Sequence, residues 1–203
     1  MHEHVTDPFV KRAQHDGYRS RAAYKLLEMD KRDRLFKPGM TVVDLGAAPG
    51  SWCQVAVQKL KGQGRVVAID LLPVAPLPGV GVLQGDFASD AGRAWLEESM
   101  QGKQADLVLS DMAPNVSGVI LRDQAQHYEL CDMALEFAMK WLKPEGAFLV
   151  KAFHGIGFET YRRHMRAAFE SVHIRKPEAS RERSTEIYLL GRKPVYRLLR
   201  RPE

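Results

Sequence analysis

Asp44 closes the apolar run Val42-Val43-Asp44-Leu45, and the turn Gly46-Ala47-Ala48-Pro49-Gly50 follows before a helical pattern from Ser51 to Lys61. A buried strand that delivers a Gly/Pro-rich backbone loop to a helix N-terminus is the usual nucleotide cradle of doubly wound α/β domains. The loop lacks the Gly-x-Gly-x-x-Gly pattern of dinucleotide sites. Asp44 before the glycines and Pro49-Gly50 after them suit a ligand without a pyrophosphate, whose cationic end a carboxylate would stabilise. Asp70 closes the next apolar run, Val66 to Ile69, where an acid can grip both ribose hydroxyls of an adenosine. Together these residues point to S-adenosylmethionine as cofactor.

The elements that must position such a site alternate. Strands are predicted at Thr41–Leu45, Arg65–Asp70, Val80–Gln84, Ala105–Ser110, Ala147–Lys151, Val172–Arg175 and Glu186–Leu190. Helical patterns lie between them at Ser51–Lys61, Gly92–Met100, Asp123–Leu142 and Gly157–Phe169, after one or two helices over Pro8–Arg34. Alternation of this kind predicts a parallel sheet with helices on both faces. Only the short polar loop Lys176–Thr185 joins the last two strands, too short for a helical crossover, so the last strand is expected to be antiparallel. The fold class is therefore α/β and Rossmann-like, with a seven-stranded, mostly parallel sheet. Ligands of such sheets bind beyond the carboxyl ends of the parallel strands. Asp111 and Lys151 end two strands there, and Glu186 starts the reversed strand at that same edge. Lys25 joins them if the N-terminal helix packs over the mouth.

Lys25, Asp111, Lys151 and Glu186 stand in the order of the Lys-Asp-Lys-Glu set of the FtsJ/RrmJ family of RNA 2′-O-ribose methyltransferases, which the chain resembles over nearly its whole length. The resemblance is carried by Ser20-Arg21-Ala22, Phe36-Lys37-Pro38-Gly39, Asp44 to Gly50, Asp70-Leu71-Leu72-Pro73, Gln84-Gly85-Asp86-Phe87, Ser110 to Asn115 and Arg175-Lys176-Pro177. It is closest to the bacterial members acting on the large ribosomal subunit. That implies methylation of a uridine 2′-hydroxyl in the A-loop of 23S rRNA, on the assembled 50S particle. Ser51 and Cys53 stand where those enzymes often carry glycine and serine, and Val195–Glu203 extends past their usual end. Arg197, Arg200 and Arg201 of that tail are candidates for further phosphate contacts.

A ribose hydroxyl is a poor nucleophile while protonated, so the site must orient it and remove its proton. A free lysine, with a pKa near ~10.4, is a useless base until a second cation or burial favours its neutral form. Lys151 is assigned as proton acceptor, with Lys25 as the neighbouring cation, Asp111 holding the amine and Glu186 orienting Lys25 or the ribose. For the cofactor, Gly50 and Trp52 are expected as loop contacts, Asp70 as ribose clamp, Asp86 beside the adenine, and Asp111 near the sulfonium. Each residue also has a plainer reading. Lys151, Lys25 and Glu186 could be surface charges, Asp111 part of a turn with Pro114-Asn115, and Trp52 a core aromatic. His127 and His154 are read as structural or RNA-facing.

Composition sets the remaining bounds. The 203 residues, 45% hydrophobic and 27% charged, fit a single methyltransferase domain: an RNA-facing helical segment 1–37, a catalytic core 38–191 and a basic tail 192–203. Those three readings cover the chain without a signal pattern or a membrane span, and a cytoplasmic monomer is expected. Cys53 and Cys131 lack metal-ligand spacing and read as reduced core thiols; no metal is expected. Residues 1–37 carry a net +3, 38–161 carry −5 and 162–203 carry +7. Basic flanks around an acidic body suggest that both ends grip a polyanion, with Arg19, Arg21, Arg181 and Arg183 beside the cleft. The competing functions are ribose methylation of tRNA or an mRNA cap, a non-catalytic ribosome-assembly factor, and a nicotinamide-dependent oxidoreductase. The intact Lys-Asp-Lys-Glu set argues against the second and the missing pyrophosphate glycines against the third.

Overall fold

The computed structural model describes residues 7–115, 117–180 and 184–196. Two helices come first, α1 (Pro8–His15) and α2 (Ala22–Asp33). Asp7 caps α1 by accepting from Phe9 N, with Pro8 at the first helical position, where its missing N–H is not needed. Then follow β1 (Thr41–Leu45), α3 (Ser51–Leu60), β2 (Arg65–Asp70), β3 (Val80–Gln84), α4 (Asp90–Met100), β4 (Ala105–Ser110), α5 (Ile120–Trp141), β5 (Leu142–Phe153), α6 (Phe158–Ala168), β6 (Phe169–Arg175) and β7 (Glu186–Pro194). The described strands form one sheet in the order β3-β2-β1-β4-β5-β7-β6, with β7 antiparallel to both neighbours and the other pairings parallel. The chain order reverses between β1 and β4, so their loops part there and open a crevice at the carboxyl edge.

Three strands run longer than predicted. β5 starts at Leu142, which pairs with Ala105 before the register breaks across the turn-forming Pro144-Glu145-Gly146. β6 follows α6 without a loop, so it begins at Phe169, and its partner β7 continues past residue 191 to Pro194.

Alternation along the strands sorts side chains between two layers. Val43, Val67, Val108, Val150 and Leu189 pack under α4, α5 and α6. Val42, Val66, Leu107, Leu109, Leu149, Tyr188 and Leu190 pack under α2 and α3. By the same period, Asp111, Lys151 and Glu186 belong to the face that α2 covers. Cys53 and Cys131 are buried and unpaired with each other. Among the described residues no helix is long and apolar enough to cross a membrane, and no cluster of His, Cys, Asp or Glu is placed to hold a metal ion.

Candidate active site

A cleft of about 450 Å³ opens at the carboxyl edge, lined from β1 by Gly46 and Ala48, from β2 by Asp70, Leu71 and Leu72, from β3 by Asp86 and Phe87, and from β4 and β5 by Asp111, Met112 and Lys151. Gly46 has φ +81°, and a Cβ there would lie 2.8 Å from Met112 N, so only glycine lets the loops after β1 and β4 approach this closely. The Asp70 carboxylate accepts from Ala48 N and Leu72 N, both at 2.8 Å, which fixes its two oxygens at the cleft rim. Leu71 and Leu72 are 58% and 64% exposed, an apolar wall beside that carboxylate. Asp86 accepts from Ala88 N at 2.8 Å and so shapes the turn next to Phe87. An adenosine with a cationic tail fits this donor set: a carboxylate for the ribose, apolar walls for the base, and Asp111 toward the catalytic end.

Asp111 and Lys151 line the other end of the cleft, while Lys25 and Glu186 lie outside its lining and join them through Tyr188. Lys151 Nζ donates to the Asp111 carbonyl oxygen at 2.6 Å and lies 3.3 Å from its carboxylate. Lys25 Nζ lies 2.6 Å from Glu186 Oε1. Burial alone would raise the Glu186 carboxyl, but the Lys25 charge and hydrogen bond, the Lys151 charge and the Ser180 hydroxyl outweigh it and hold it below its ordinary value. The structure thus pairs Lys25 with Glu186, one of the two partners expected for that carboxylate, and the ion pair partly offsets the charge that Lys25 presents toward Lys151.

Several partners were not expected from sequence. The Tyr188 hydroxyl donates to Asp111 Oδ1 at 3.0 Å and lies 3.4 Å from Glu186 Oε1, joining the two acids. Ser180 Oγ donates to Glu186 at 3.0 Å. The loop carrying Ser180 is held by α2, where Glu28 accepts from Glu178 N at 2.9 Å and Arg21 donates to the Ala179 carbonyl. Lys176 Nζ donates to the carbonyls of Ser184 and Glu186 at 2.5 and 2.7 Å.

Other expected residues lie elsewhere. Trp52 is 3% exposed, donates its indole N–H to the Ala22 carbonyl and packs on Tyr188, so it takes its plainer reading as a core aromatic rather than a cofactor wall. Gly50 turns toward Arg19 and Val74 and is absent from the cleft lining. Asp44 is wholly buried, with the Cys53 thiol donating to it, and does not reach the cleft. His127 is buried, 3.3 Å from Cys131 Sγ and edge-on to Phe153, while His154 is exposed against Phe158. Arg19 and Arg21 donate within the molecule, to the Pro49 and Pro76 carbonyls and to Asp7 and Ala179, contacts that the charge pattern alone did not suggest. Arg181, Arg183 and the tail arginines Arg197, Arg200 and Arg201 lie outside the described residues.

Comparison with known proteins supplies the family. The family model described as FtsJ-like methyltransferase matches residues 18–194. A protein of Thiobacillus denitrificans named ribosomal RNA large subunit methyltransferase E is 73% identical over 96% of this chain and 89% of its own length. A protein of the same name from Azoarcus sp. is 60% identical over 94% and 93%. Among solved structures, a Plasmodium falciparum protein assigned as a ribosomal RNA methyltransferase superposes with a TM-score of 0.78 at 31% identity, covering 87% of this chain and 98% of that one. Human methyltransferase-like protein 13, solved in complex with SAH, shares the fold at 15% identity, with a TM-score of 0.55 over 84% and 79% of the two chains.

Proposed function

Since the chain belongs to the FtsJ-like methyltransferase family, we propose that it methylates a uridine 2′-hydroxyl in the A-loop of 23S rRNA, with Lys151 as proton acceptor. It is an S-adenosylmethionine-dependent ribosomal RNA methyltransferase. The single observation that carries the choice of base is the position of Lys151 Nζ, 2.6 Å from the Asp111 carbonyl and 3.3 Å from its carboxylate, inside the cleft that also holds Asp70.

When bound, S-adenosylmethionine supplies a methyl group activated by its sulfonium. Asp70 would hold its ribose, Leu71 and Leu72 its base, and Asp111 the end nearest Lys151. Lys151 is only 8% exposed, so a ribose entering the cleft displaces the remaining water from around the amine. The hydroxyl proton passes to Lys151 Nζ in its neutral form, which keeps an N–H for the Asp111 carbonyl and a lone pair for the proton. The Lys25–Glu186 pair borders the ribose and orients it, with Tyr188 tying Glu186 to Asp111.

The substrate is taken to be the assembled 50S particle and the working form a monomer in the cytoplasm, where that particle matures. Residues 1–37 serve as the substrate-side segment of a single domain whose core runs from residue 38 to the end of β7 at Pro194, three residues beyond the expected boundary at 191, with the basic tail after it. Incubation with labelled cofactor and separated 50S, 30S, free rRNA and tRNA, followed by mapping of the labelled nucleotide, tests this reading. Label on one 23S uridine 2′-oxygen is expected. Label on tRNA alone, or on a base carbon, would overturn it.

A further inference from the structure

Two loops wall the cofactor end of the cleft, 46–50 after β1 and 71–76 after β2. Inside, the Asp70 carboxylate spans them through Ala48 N and Leu72 N. Outside, Arg19 spans the same two loops: Nη1 donates to the Pro49 carbonyl at 3.0 Å and Nη2 to the Pro76 carbonyl at 3.1 Å. The fork geometry of a guanidinium suits two carbonyls on separate strands of chain, which a single ammonium cannot reach together. Gly50 leaves the space for it, since a Cβ there would lie 2.3 Å from Nη1.

The segment around Arg19 is fastened to the helix that the β1 loop enters. Arg19 N donates to Gln54 Oε1 at 2.9 Å, Gln54 Nε2 donates to the Gly17 carbonyl at 3.0 Å, and the Tyr18 hydroxyl donates to Gln58 at 2.8 Å. Ser20 and Ser51 hydroxyls meet at 2.7 Å. α2 begins two residues later and carries Lys25. One short segment therefore ties both cofactor lips from outside and seats a lysine of the catalytic quartet.

We propose that Arg19 is a positioning residue for S-adenosylmethionine, holding the Pro49 and Pro76 lips at the separation that Asp70 spans from within, and that it sets cofactor affinity rather than RNA affinity. The inference rests on reading this cleft as the cofactor site. Charge counting alone would make Arg19 a phosphate contact, and the two roles give opposite results. A lost phosphate contact flattens the salt dependence of RNA binding by about one unit of slope. A lost latch weakens cofactor binding and leaves that slope alone.

The test measures S-adenosylhomocysteine binding by calorimetry, turnover against cofactor concentration, and 50S binding across a salt titration, for the full chain and for Arg19→Ala and Arg19→Lys. We expect Arg19→Ala to raise the cofactor Kd and KM about tenfold, with kcat at saturating cofactor within about twofold of the parent, as removal of a uniform binding contribution requires. Arg19→Lys should recover part of the loss, and the 50S salt slope should match the parent in both. Unchanged cofactor Kd in both variants would overturn the latch, and a flattened salt slope with it would return Arg19 to phosphate binding. Should Arg19→Ala fail to fold, the same criteria apply to Arg19→Lys. A parent that binds no S-adenosylhomocysteine would overturn the cofactor reading itself.

Discussion

Lys151 and Tyr188 face each other across the antiparallel β5–β7 pairing, and both reach Asp111, the lysine through Nζ and the tyrosine through its hydroxyl. The register places an amine and a hydroxyl donor on either side of one carboxylate. Burial, with the charges of Asp111 and Glu186, pushes the Tyr188 hydroxyl well above its ordinary value, so it stays protonated and donates at any working pH. Asp111 is thereby held by a neutral donor as well as by the lysine.

Tyr188→Phe removes that donor and keeps the ring packed on Trp52. A hydrogen bond to a charged group contributes about 1.5–3 kcal/mol, and each 1.36 kcal/mol is tenfold in rate. We expect kcat to fall roughly 10- to 100-fold with cofactor affinity within a few-fold of the parent. Single-turnover methyl transfer with 50S particles measures it, and an unaltered rate would remove Tyr188 from the machinery.

Lys151→Arg keeps a cation in the cleft but cannot lose its proton at working pH. The expected loss is about 10²- to 10⁴-fold, the range of general acid–base catalysis, while cofactor affinity holds. Lys151→Ala should be equally inactive. Substantial transfer by the arginine variant would reduce Lys151 to a positioning role.

How much of this was legible in the sequence depends on the range over which each signal acts. Apolar runs ending in Asp44, Asp70, Ser110 and Lys151 are local, so the strands and their carboxyl edge could be placed. The period of two also places Leu109 with Asp111 and Leu149 with Lys151 on the face under α2. Tyr188 was missed because the same alternation counts it as an apolar residue and hides its hydroxyl. Trp52 follows the glycine loop closely, yet α3 turns its ring under α2, where Ala22 accepts its N–H. Arg19 and Arg21 carry the same formal charge whether they face solvent or bind carbonyls. Only the tertiary contacts with Pro49, Pro76 and Ala179 separate the two cases.

Glu186 has its carboxyl lowered despite burial, chiefly by Lys25. A lowered acid contributes stability that is present above its unfolded value, ordinarily near ~4.3, and is lost as pH falls through the lower folded value. Glu186→Gln leaves Lys25, with its side chain 13% exposed, without its countercharge, at a cost on the order of 3–5 kcal/mol at neutral pH. We expect the difference in Tm between parent and variant to be constant from pH 6 to 8 and to shrink below about pH 4, where the parent also loses its ion pair. A difference that persists unchanged into acid would show that the carboxylate does not stabilise the fold.

Asp44 behaves in the opposite sense. Burial raises its carboxyl to about 7, the charges of Asp111 and Asp70 push the same way, and the Cys53 thiol only partly offsets them. Its Oδ1 finds no hydrogen-bond partner among the described residues. Between the unfolded value near ~3.9 and about 7, the folded state holds a proton that the unfolded chain has released. Stability must therefore fall as pH rises across that window and level off above it. His127 works against this over part of the range: burial and the Lys151 charge lower it to about 4, so its neutral folded form gains stability as pH rises toward ~6.5. The contribution of Asp44 is isolated by comparing the parent with Asp44→Asn, which keeps the shape and removes the titration while His127 acts equally in both. We expect Asp44→Asn to gain Tm relative to the parent steadily from about pH 4.5 to pH 7.5 and no further above pH 8. Parallel Tm curves would place the Asp44 carboxyl outside that window, either ionised throughout or protonated throughout.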